Sequence, residues 1–265
     1  MYETTYHRAS SVAEAASPFA KGKEAKYLAG GQTLLPVMKQ RLASPSDVID
    51  LAQIADLVGC VGTLSGVQIK AATTHYEVAN DGTIRKAIPA LAYLASQIGD
   101  PAVRHRGTIG GSLANNDPAA DYPAAVLALN ASIKTNKRSI AADDFFKGLF
   151  STALDDGEII TAVDFPLIDK AGYAKFPHPA SRFALTGVFV AKKGADVRVA
   201  ATGASQNGVM RVPAIEAALK ANWSAGAIDS VKISADGLLN DIHGSSDYRA
   251  NLIKVMAQRA VQAAG

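Results

Sequence analysis

The chain has 265 residues, of which 48% are hydrophobic and 19% are charged, so it can bury a large core and is not intrinsically disordered. Its 27 basic and 24 acidic residues leave a net charge of +3, which excludes a strongly basic nucleic-acid clamp and a polybasic membrane anchor. The length fits one or two domains.

The cysteine and histidine content restricts the chemistry of the chain. One cysteine, Cys60, cannot form an intrachain disulfide or supply the four thiolates of an iron–sulfur cluster. The histidines are not placed at metal-ligand spacing, so we expect no metal site on this chain alone. The N-terminus lacks the apolar core of a signal peptide, and no apolar run reaches the length of a membrane span, which favours a cytoplasmic location.

The first part of the chain alternates short strands with helices. Its apolar spacing predicts a helix over residues 8–20 after a short strand, strands over 26–29 and 47–51, and a helix over 33–42. The central part predicts strand, glycine turn and strand over 56–79. The class indicated by this pattern is α+β.

Further helices and strands follow in the central part. Helices are predicted over residues 88–98 and 122–129, and strands over 131–135 and 159–165. Gly99 lies just past the first of these helices, where a left-handed cap is favoured.

A change of composition marks a boundary in the last third of the chain. Residues 166–179 are rich in Pro, Gly and Lys and have no periodicity, which indicates a domain boundary. A β-hairpin is predicted after it, with strands over 183–191 and 197–204. At least two helices follow, the last over 246–264.

Two glycine pairs are the main candidates for a binding site. Gly30-Gly31 and Gly110-Gly111 each open a predicted helix, where glycine lets the backbone approach a ligand and the amides can bind an anion. Two such loops can hold the two phosphates of a dinucleotide from opposite sides. Tight turns at strand ends are the alternative, and neither segment matches the Rossmann or P-loop pattern.

Polar residues after the second glycine pair have two interpretations. Asp117 and Asp121 can accept hydrogen bonds from sugar hydroxyls, or they can cap the following helix. Lys175, in the boundary segment, is by itself typical of a surface lysine. His75, at the end of a predicted strand, is more typical of a packed or solvated histidine than of a catalytic base.

Five segments together resemble the FAD-binding medium subunit of the molybdenum hydroxylases, of the carbon monoxide dehydrogenase type. They are AGGQTLLPVMKQRL (29–42), VQIKAATTHYEVA (67–79), VRHRGTIGGSLANNDPAADYPA (103–124), GEIITAVDFP (157–166) and YAKFPHPASRFALTGVFVA (173–191). The resemblance covers essentially the whole chain. Gln32 and Ser112 depart from it, since the family often has His and Asn there.

The resemblance implies the fold and the domain boundaries. It implies a two-lobed FAD-binding domain of the vanillyl-alcohol-oxidase type over residues 1–170, with a small α/β lobe over 1–55 and a mainly β lobe over 56–170. A C-terminal domain of a small antiparallel sheet packed with helices is expected over 172–265.

The resemblance also implies the site residues. The matching positions are Ala29, Gly30, Gly31, Gln32, Thr33, Leu34, Thr108, Gly110, Gly111, Asn115, Asp117, Asp121, Ile160 and Lys175. The first loop would wrap the pyrophosphate and adenosine side of FAD, and the second would approach from the opposite side through backbone amides and a hydroxyl. Asp121 would contact the ribityl chain. Ile160 and Lys175 would lie near the isoalloxazine, where a lysine stabilises negative charge on reduced flavin.

The implied role is that of an electron outlet. Because this chain has one cysteine, [2Fe-2S] clusters are expected on a Cys-rich small partner chain, and the molybdenum cofactor on a large one. The complex would be a heterotrimer, with a dimer of heterotrimers as one arrangement. The alternatives are a stand-alone flavin oxidoreductase of the same fold, or a scaffold that has lost FAD.

Overall fold

The computed structural model describes residues 1–265, and its chain begins with a parallel three-stranded sheet in the order β1–β3–β2. The strands are Thr5–Arg8 (β1), Lys26–Leu28 (β2) and Asp47–Asp50 (β3), and the connecting helices are Val12–Lys21 (α1) and Leu34–Lys39 (α2). The predicted alternation of strand and helix in this region is confirmed.

The second sheet has five antiparallel strands in the order β4–β5–β10–β6–β7. Its central pair buries Val163 against Ile69 at one register position. The strands are Cys60–Thr63 (β4), Gly66–Lys70 (β5), Ser132–Thr135 (β6), Ser139–Ala141 (β7) and Ile160–Pro166 (β10).

Short helices pack on this second sheet and share one large core with it, to which Leu91, Leu113 and Val126 belong. They are His75–Asn80 (α3), Gly82–Ala87 (α4), Pro89–Ser96 (α5), Pro101–Arg104 (α6), Ile109–Asn115 (α7) and Tyr122–Ala128 (α8). A last helical turn, Ala142–Phe145 (α9), leads into a small hairpin of Phe146–Gly148 (β8) and Ser151–Thr152 (β9).

The third sheet is antiparallel, in the order β11–β12–β13–β14. Its strands are Lys170–Pro177 (β11), Ala184–Lys193 (β12), Asp196–Thr202 (β13) and Met210–Arg211 (β14). Helices Pro213–Ala221 (α10) and Ser246–Ala263 (α11) share a second core with this sheet. Phe189 and Ala200 of the same sheet belong to the large core of the second sheet, so the third sheet is covered on both faces.

The prediction of an aperiodic boundary over 166–179 is wrong for residues 170–177, which form strand β11. Glycine, lysine and proline have low β propensity, so packing must stabilise this strand. It pairs with β12 along its whole length. Gly172 lies so close to α11 that a Cβ there would be 1.9 Å from the carbonyl oxygen of Ala260.

A third, smaller core lies under the parallel sheet and includes Ala15, Ile49 and Leu57. None of the helices combines the length and the apolar content that a membrane span requires.

Candidate functional site

A cleft of about 610 Å³ runs along the two glycine loops, within the range of roughly 300–1,000 Å³ that ligand pockets occupy. All the site residues predicted from the sequence line this cleft except Lys175. They are Ala29, Gly30, Gly31, Gln32, Thr33, Leu34, Thr108, Gly110, Gly111, Asn115, Asp117, Asp121 and Ile160. The structure therefore brings together segments that are far apart in the sequence.

The first glycine loop presents a row of free backbone donors. The amides of residues 30–34 donate no hydrogen bond within the protein, and all five residues line the cleft. Gly31 has a φ of +72°, which favours glycine. Gly30 packs against the second segment, where an added Cβ would be 2.1 Å from the Arg106 carbonyl oxygen. Consecutive free amides of this kind suit an anion such as a phosphate.

The second glycine loop is fixed to the end of strand β5. The Ile109 amide donates to the Thr73 carbonyl at 3.2 Å, and the Gly110 amide donates to the Ala71 carbonyl at 2.8 Å. The Gly111 amide donates to Thr108 Oγ1 at 3.1 Å. The expectation that the Gly110 and Gly111 amides are free for a ligand is therefore wrong, because both have acceptors within the chain. The Thr108 hydroxyl keeps its own proton for donation.

Gly111 is where the two loops face each other. A Cβ built there would be 3.7 Å from the Cβ of Ala29 and 3.0 Å from Thr108 Oγ1, with no backbone atom nearby. A Cβ on Gly110, by contrast, would be 2.6 Å from the Cβ of Ala71. Gly110 thus serves close packing, whereas Gly111 keeps the cleft between the loops open.

The turn after α7 uses its polar side chains locally. Asp117 Oδ1 accepts a hydrogen bond from the Ala119 amide at 2.8 Å, which closes a turn before α8. Asn116 is buried in a left-handed conformation, with a φ of 44°, and its amide nitrogen donates to the carbonyls of Gly148 and Ser151. These bonds tie the segment to the β8–β9 hairpin.

Asp121 forms a buried cluster with two residues of strand β11. Its Oδ1 accepts from the Tyr173 hydroxyl at 2.5 Å and lies 2.9 Å from Lys175 Nζ. Lys175 also donates to the Gln97 carbonyl at 2.8 Å. Asp121 makes no capping hydrogen bond to α8, so the capping interpretation does not hold for it.

The prediction of a surface position for Lys175 is wrong, since its side chain is only 6% exposed. Burial raises the pKa of Asp121, while the Lys175 ammonium and the Tyr173 hydroxyl limit that rise. Burial and the adjacent carboxylate raise the pKa of Tyr173 far above its usual range, so its hydroxyl stays protonated. The lysine lies behind Asp121, and the aspartate is the member of the pair that lines the cleft.

Two further residues line the cleft that the sequence did not assign to the site. Phe183 has a half-exposed ring there, and His75 is a buried imidazole. Tyr173 does not line the cleft but orients Asp121 through its hydroxyl. His75 follows Thr73-Thr74 directly, which places it beside the second loop once the two segments pair. No local sequence signal marks Phe183.

Cys60 is unsuited to chemistry in this fold. Burial and the nearby carboxylates raise the pKa of its thiol to about 12, so the reactive thiolate is absent near neutral pH. No three His, Cys, Asp or Glu side chains lie together in a way that could hold a metal ion.

The cleft, with a loop of free amides opposite a second glycine loop, has the features that suit a nucleotide-type ligand. Residues 2–168 match the family described as the FAD binding domain in molybdopterin dehydrogenase, and the chain belongs to this family. It is therefore an FAD-binding subunit of an oxidoreductase.

Relatives match over almost the full length. The chain is 34% identical to the nicotine 6-hydroxylase medium subunit of Paenarthrobacter nicotinovorans, covering 98% of this chain and 96% of the relative. It is 33% identical to the carbon monoxide dehydrogenase medium chain of Afipia carboxidovorans, with the same coverage of 98% and 96%. The solved structure of reconstituted CO dehydrogenase from Oligotropha carboxidovorans superposes with a TM-score of 0.89 at 29% identity, covering 99% of this chain and 98% of the other.

Proposed function

We propose that the chain holds FAD in the cleft between its two glycine loops and passes electrons from iron–sulfur clusters on a partner chain to an external acceptor. The observation that carries this proposal is the row of free amides at residues 30–34, which directly follow Ala29, the residue opposite the open position of Gly111. The free amides would hold the pyrophosphate, and Thr108 would donate from the opposite side.

Other residues of the cleft would hold the flavin half. Asp121 would accept hydrogen bonds from ribityl hydroxyls through Oδ2, because Tyr173 and Lys175 contact Oδ1. Asn115 and Asp117 would contribute further polar contacts, and Ile160 would pack near the isoalloxazine. Lys175 would act indirectly, by holding Asp121 in place from behind the cleft.

Bound FAD supplies a redox centre that takes up electrons singly and releases them to an acceptor. The chain itself cannot hold the cluster that feeds it, because Cys60 is its one cysteine. We therefore assign the [2Fe-2S] clusters to a Cys-rich small subunit and the molybdenum cofactor to a large subunit. A cytoplasmic heterotrimer, doubled into a dimer of heterotrimers, is the assembly proposed.

The domain division proposed has an FAD-binding domain over residues 1–170 and a C-terminal domain over 172–265. The separate parallel and antiparallel sheets support two lobes, over 1–55 and 56–170, in the manner of the vanillyl-alcohol-oxidase type. The separate core between the third sheet and α11 supports the C-terminal domain.

A pair of glycine substitutions tests FAD binding in this cleft. Gly111→Leu places a side chain between the two loops, so we expect FAD retention to be lost while the chain still folds. Gly82→Leu is the control, because Gly82 has open space around it and lies outside the cleft. FAD content is read from the visible absorbance and folding from circular dichroism. Undiminished FAD in folded Gly111→Leu would show that the second loop does not contact the cofactor.

A further inference from the structure

His75 has no side-chain partner in the protein, although it is only 5% exposed and lines the cleft. Its Nδ1 is fully enclosed and makes no hydrogen bond. Nε2 is not enclosed in this way, so it is the ring nitrogen that reaches the accessible space of the cleft. Buried polar groups in folded proteins nearly always have partners, which points to a ligand atom for this imidazole.

The backbone fixes His75 beside both glycine loops. Its amide donates to the Gly107 carbonyl at 2.9 Å, and the capping box of Thr74 and Glu77 holds the start of α3. A Cβ on Gly107 would be 2.6 Å from His75 Nε2, and a Cβ on Gly30 would be 2.7 Å from the Cα of Gly107. The imidazole edge and the first glycine loop therefore meet at the same glycine.

The environment also decides which nitrogen carries the proton. Burial, with a smaller contribution from Arg104, lowers the pKa of His75 to about 4, so the ring is neutral near pH 7 and carries one N–H. A proton on the enclosed Nδ1 would be an unsatisfied buried donor, which is costly. The proton therefore resides on Nε2, which faces the cleft as a neutral donor.

We propose that His75 Nε2 donates a hydrogen bond to a pyrophosphate oxygen of bound FAD. This inference rests on the proposed function. The free amides of residues 30–34 and His75 line one cleft, and Gly30 and the His75 ring both lie against Gly107. The several oxygens of a pyrophosphate placed there could accept from the His75 N–H and from amides of the first glycine loop.

Two substitutions with side chains of similar length separate the effect of the hydrogen bond from that of packing. His75→Gln keeps an N–H near the position of Nε2, whereas His75→Met fills similar space without a donor. The dissociation constant for FAD is measured on the full chain by flavin fluorescence. We expect His75→Gln to bind within roughly threefold of the unmodified chain and His75→Met to bind roughly 10- to 100-fold more weakly.

Two fragments of FAD locate the contact. ADP carries the pyrophosphate without the flavin, and riboflavin carries the flavin without phosphate. We expect the His75→Met loss to recur with ADP and to be absent with riboflavin. A loss with riboflavin alone would overturn the assignment to the pyrophosphate.

The outcomes distinguish the two proposals. Failure of the unmodified chain to bind FAD would overturn the proposed function and this inference with it. Normal FAD binding by the unmodified chain, with equal affinity in His75→Met, would overturn the inference alone.

Histidine ¹⁵N NMR on the unmodified chain provides a second measurement if His75→Met does not fold. We expect a neutral Nε2–H tautomer whose resonance shifts on addition of FAD. An Nδ1–H tautomer, or no shift, would contradict the proposal.

Discussion

Asp121 and Lys175 form a buried ion pair beside the cleft, and each depends on the other. Their side chains are 3% and 6% exposed, so either charge alone would have little contact with water. The Tyr173 hydroxyl and the Gln97 carbonyl complete the polar contacts of the pair. Breaking one partner of such a pair is costly because it leaves a buried charge uncompensated.

Replacing Lys175 with Met should therefore destabilise the chain strongly. We expect Lys175→Met to lower the free energy of unfolding by about 3–5 kcal/mol, measured by urea denaturation at pH 7. Adding Asp121→Asn to this variant should recover part of the loss, since the lone carboxylate is then neutral. A loss below about 1 kcal/mol in Lys175→Met would show that the pair is hydrated rather than buried.

The depressed pKa of His75 predicts a pH dependence of stability. The imidazole has a pKa of about 4 in the folded chain and about 6.5 when unfolded, so between these values the unfolded chain binds the extra proton. Its contribution, about 3 kcal/mol, is complete above pH 6.5 and is lost as the pH falls towards 4.

Urea denaturation across this pH range checks the prediction, with His75→Gln as the reference. Stability of the unmodified chain should fall more steeply with acidification than that of His75→Gln, which cannot gain a proton there. Parallel pH profiles for the two proteins would show that His75 has an ordinary pKa in the folded state.

At the residue scale, the sequence predicts those features that depend on neighbours in the chain. The positions of Gly30 and Gly111 in the cleft follow from short motifs, because their backbone geometry is local. The burial of Lys175 could not be inferred from local sequence, because its partners Asp121 and Gln97 are distant in the chain. The position of His75 at the cleft could not be inferred locally either, because it depends on the pairing of its segment with residues 107–109.

At the scale of elements, helix α7 carries two adjacent glycines with different tasks. Gly110 packs against Ala71 at the end of strand β5, where a Cβ would be 2.6 Å from the Ala71 Cβ and 2.8 Å from its carbonyl oxygen. A Cβ on Gly111 would be 3.0 Å from its nearest neighbour, the side-chain oxygen of Thr108. The same small substitution should therefore have different effects at the two positions.

Alanine substitutions test this difference. Gly110→Ala should lower the free energy of unfolding by about 1–3 kcal/mol, because the helix must move away from the strand. Gly111→Ala should change it by less than about 1 kcal/mol, since alanine favours the helix and the side chain enters the cleft. Chemical denaturation of both variants without FAD gives the comparison, and equal effects would contradict the packing assigned to Gly110.

Element prediction failed at helix α3, where residues 75–79 are predicted as strand, and at strand β11. The other strands near the cleft have apolar residues at strand spacing, and their existence could be predicted from that pattern. Strand β11 instead contains Gly172, Lys175 and Pro177, and it forms because β12 and α11 cover it. Such a strand depends on tertiary packing, which a local pattern does not contain.

At the scale of the molecule, the cleft lies where the parallel sheet meets the five-stranded sheet and its helices. The parallel sheet contributes the first glycine loop, the five-stranded sheet and its helices contribute the second, and the third sheet places Lys175 behind Asp121. All three sheets thus contribute to the cleft or to the residues that support it. With Cys60 as its one cysteine, the chain cannot supply the four thiolates of an iron–sulfur cluster.

The most direct test of the central claim is the absorbance spectrum of the chain purified under mild conditions from its native host, with co-purifying chains identified. The account predicts flavin absorbance together with one Cys-rich and one large partner chain. Both partners present without flavin in a folded complex would contradict it, because the chain would then be a scaffold rather than an FAD-carrying subunit.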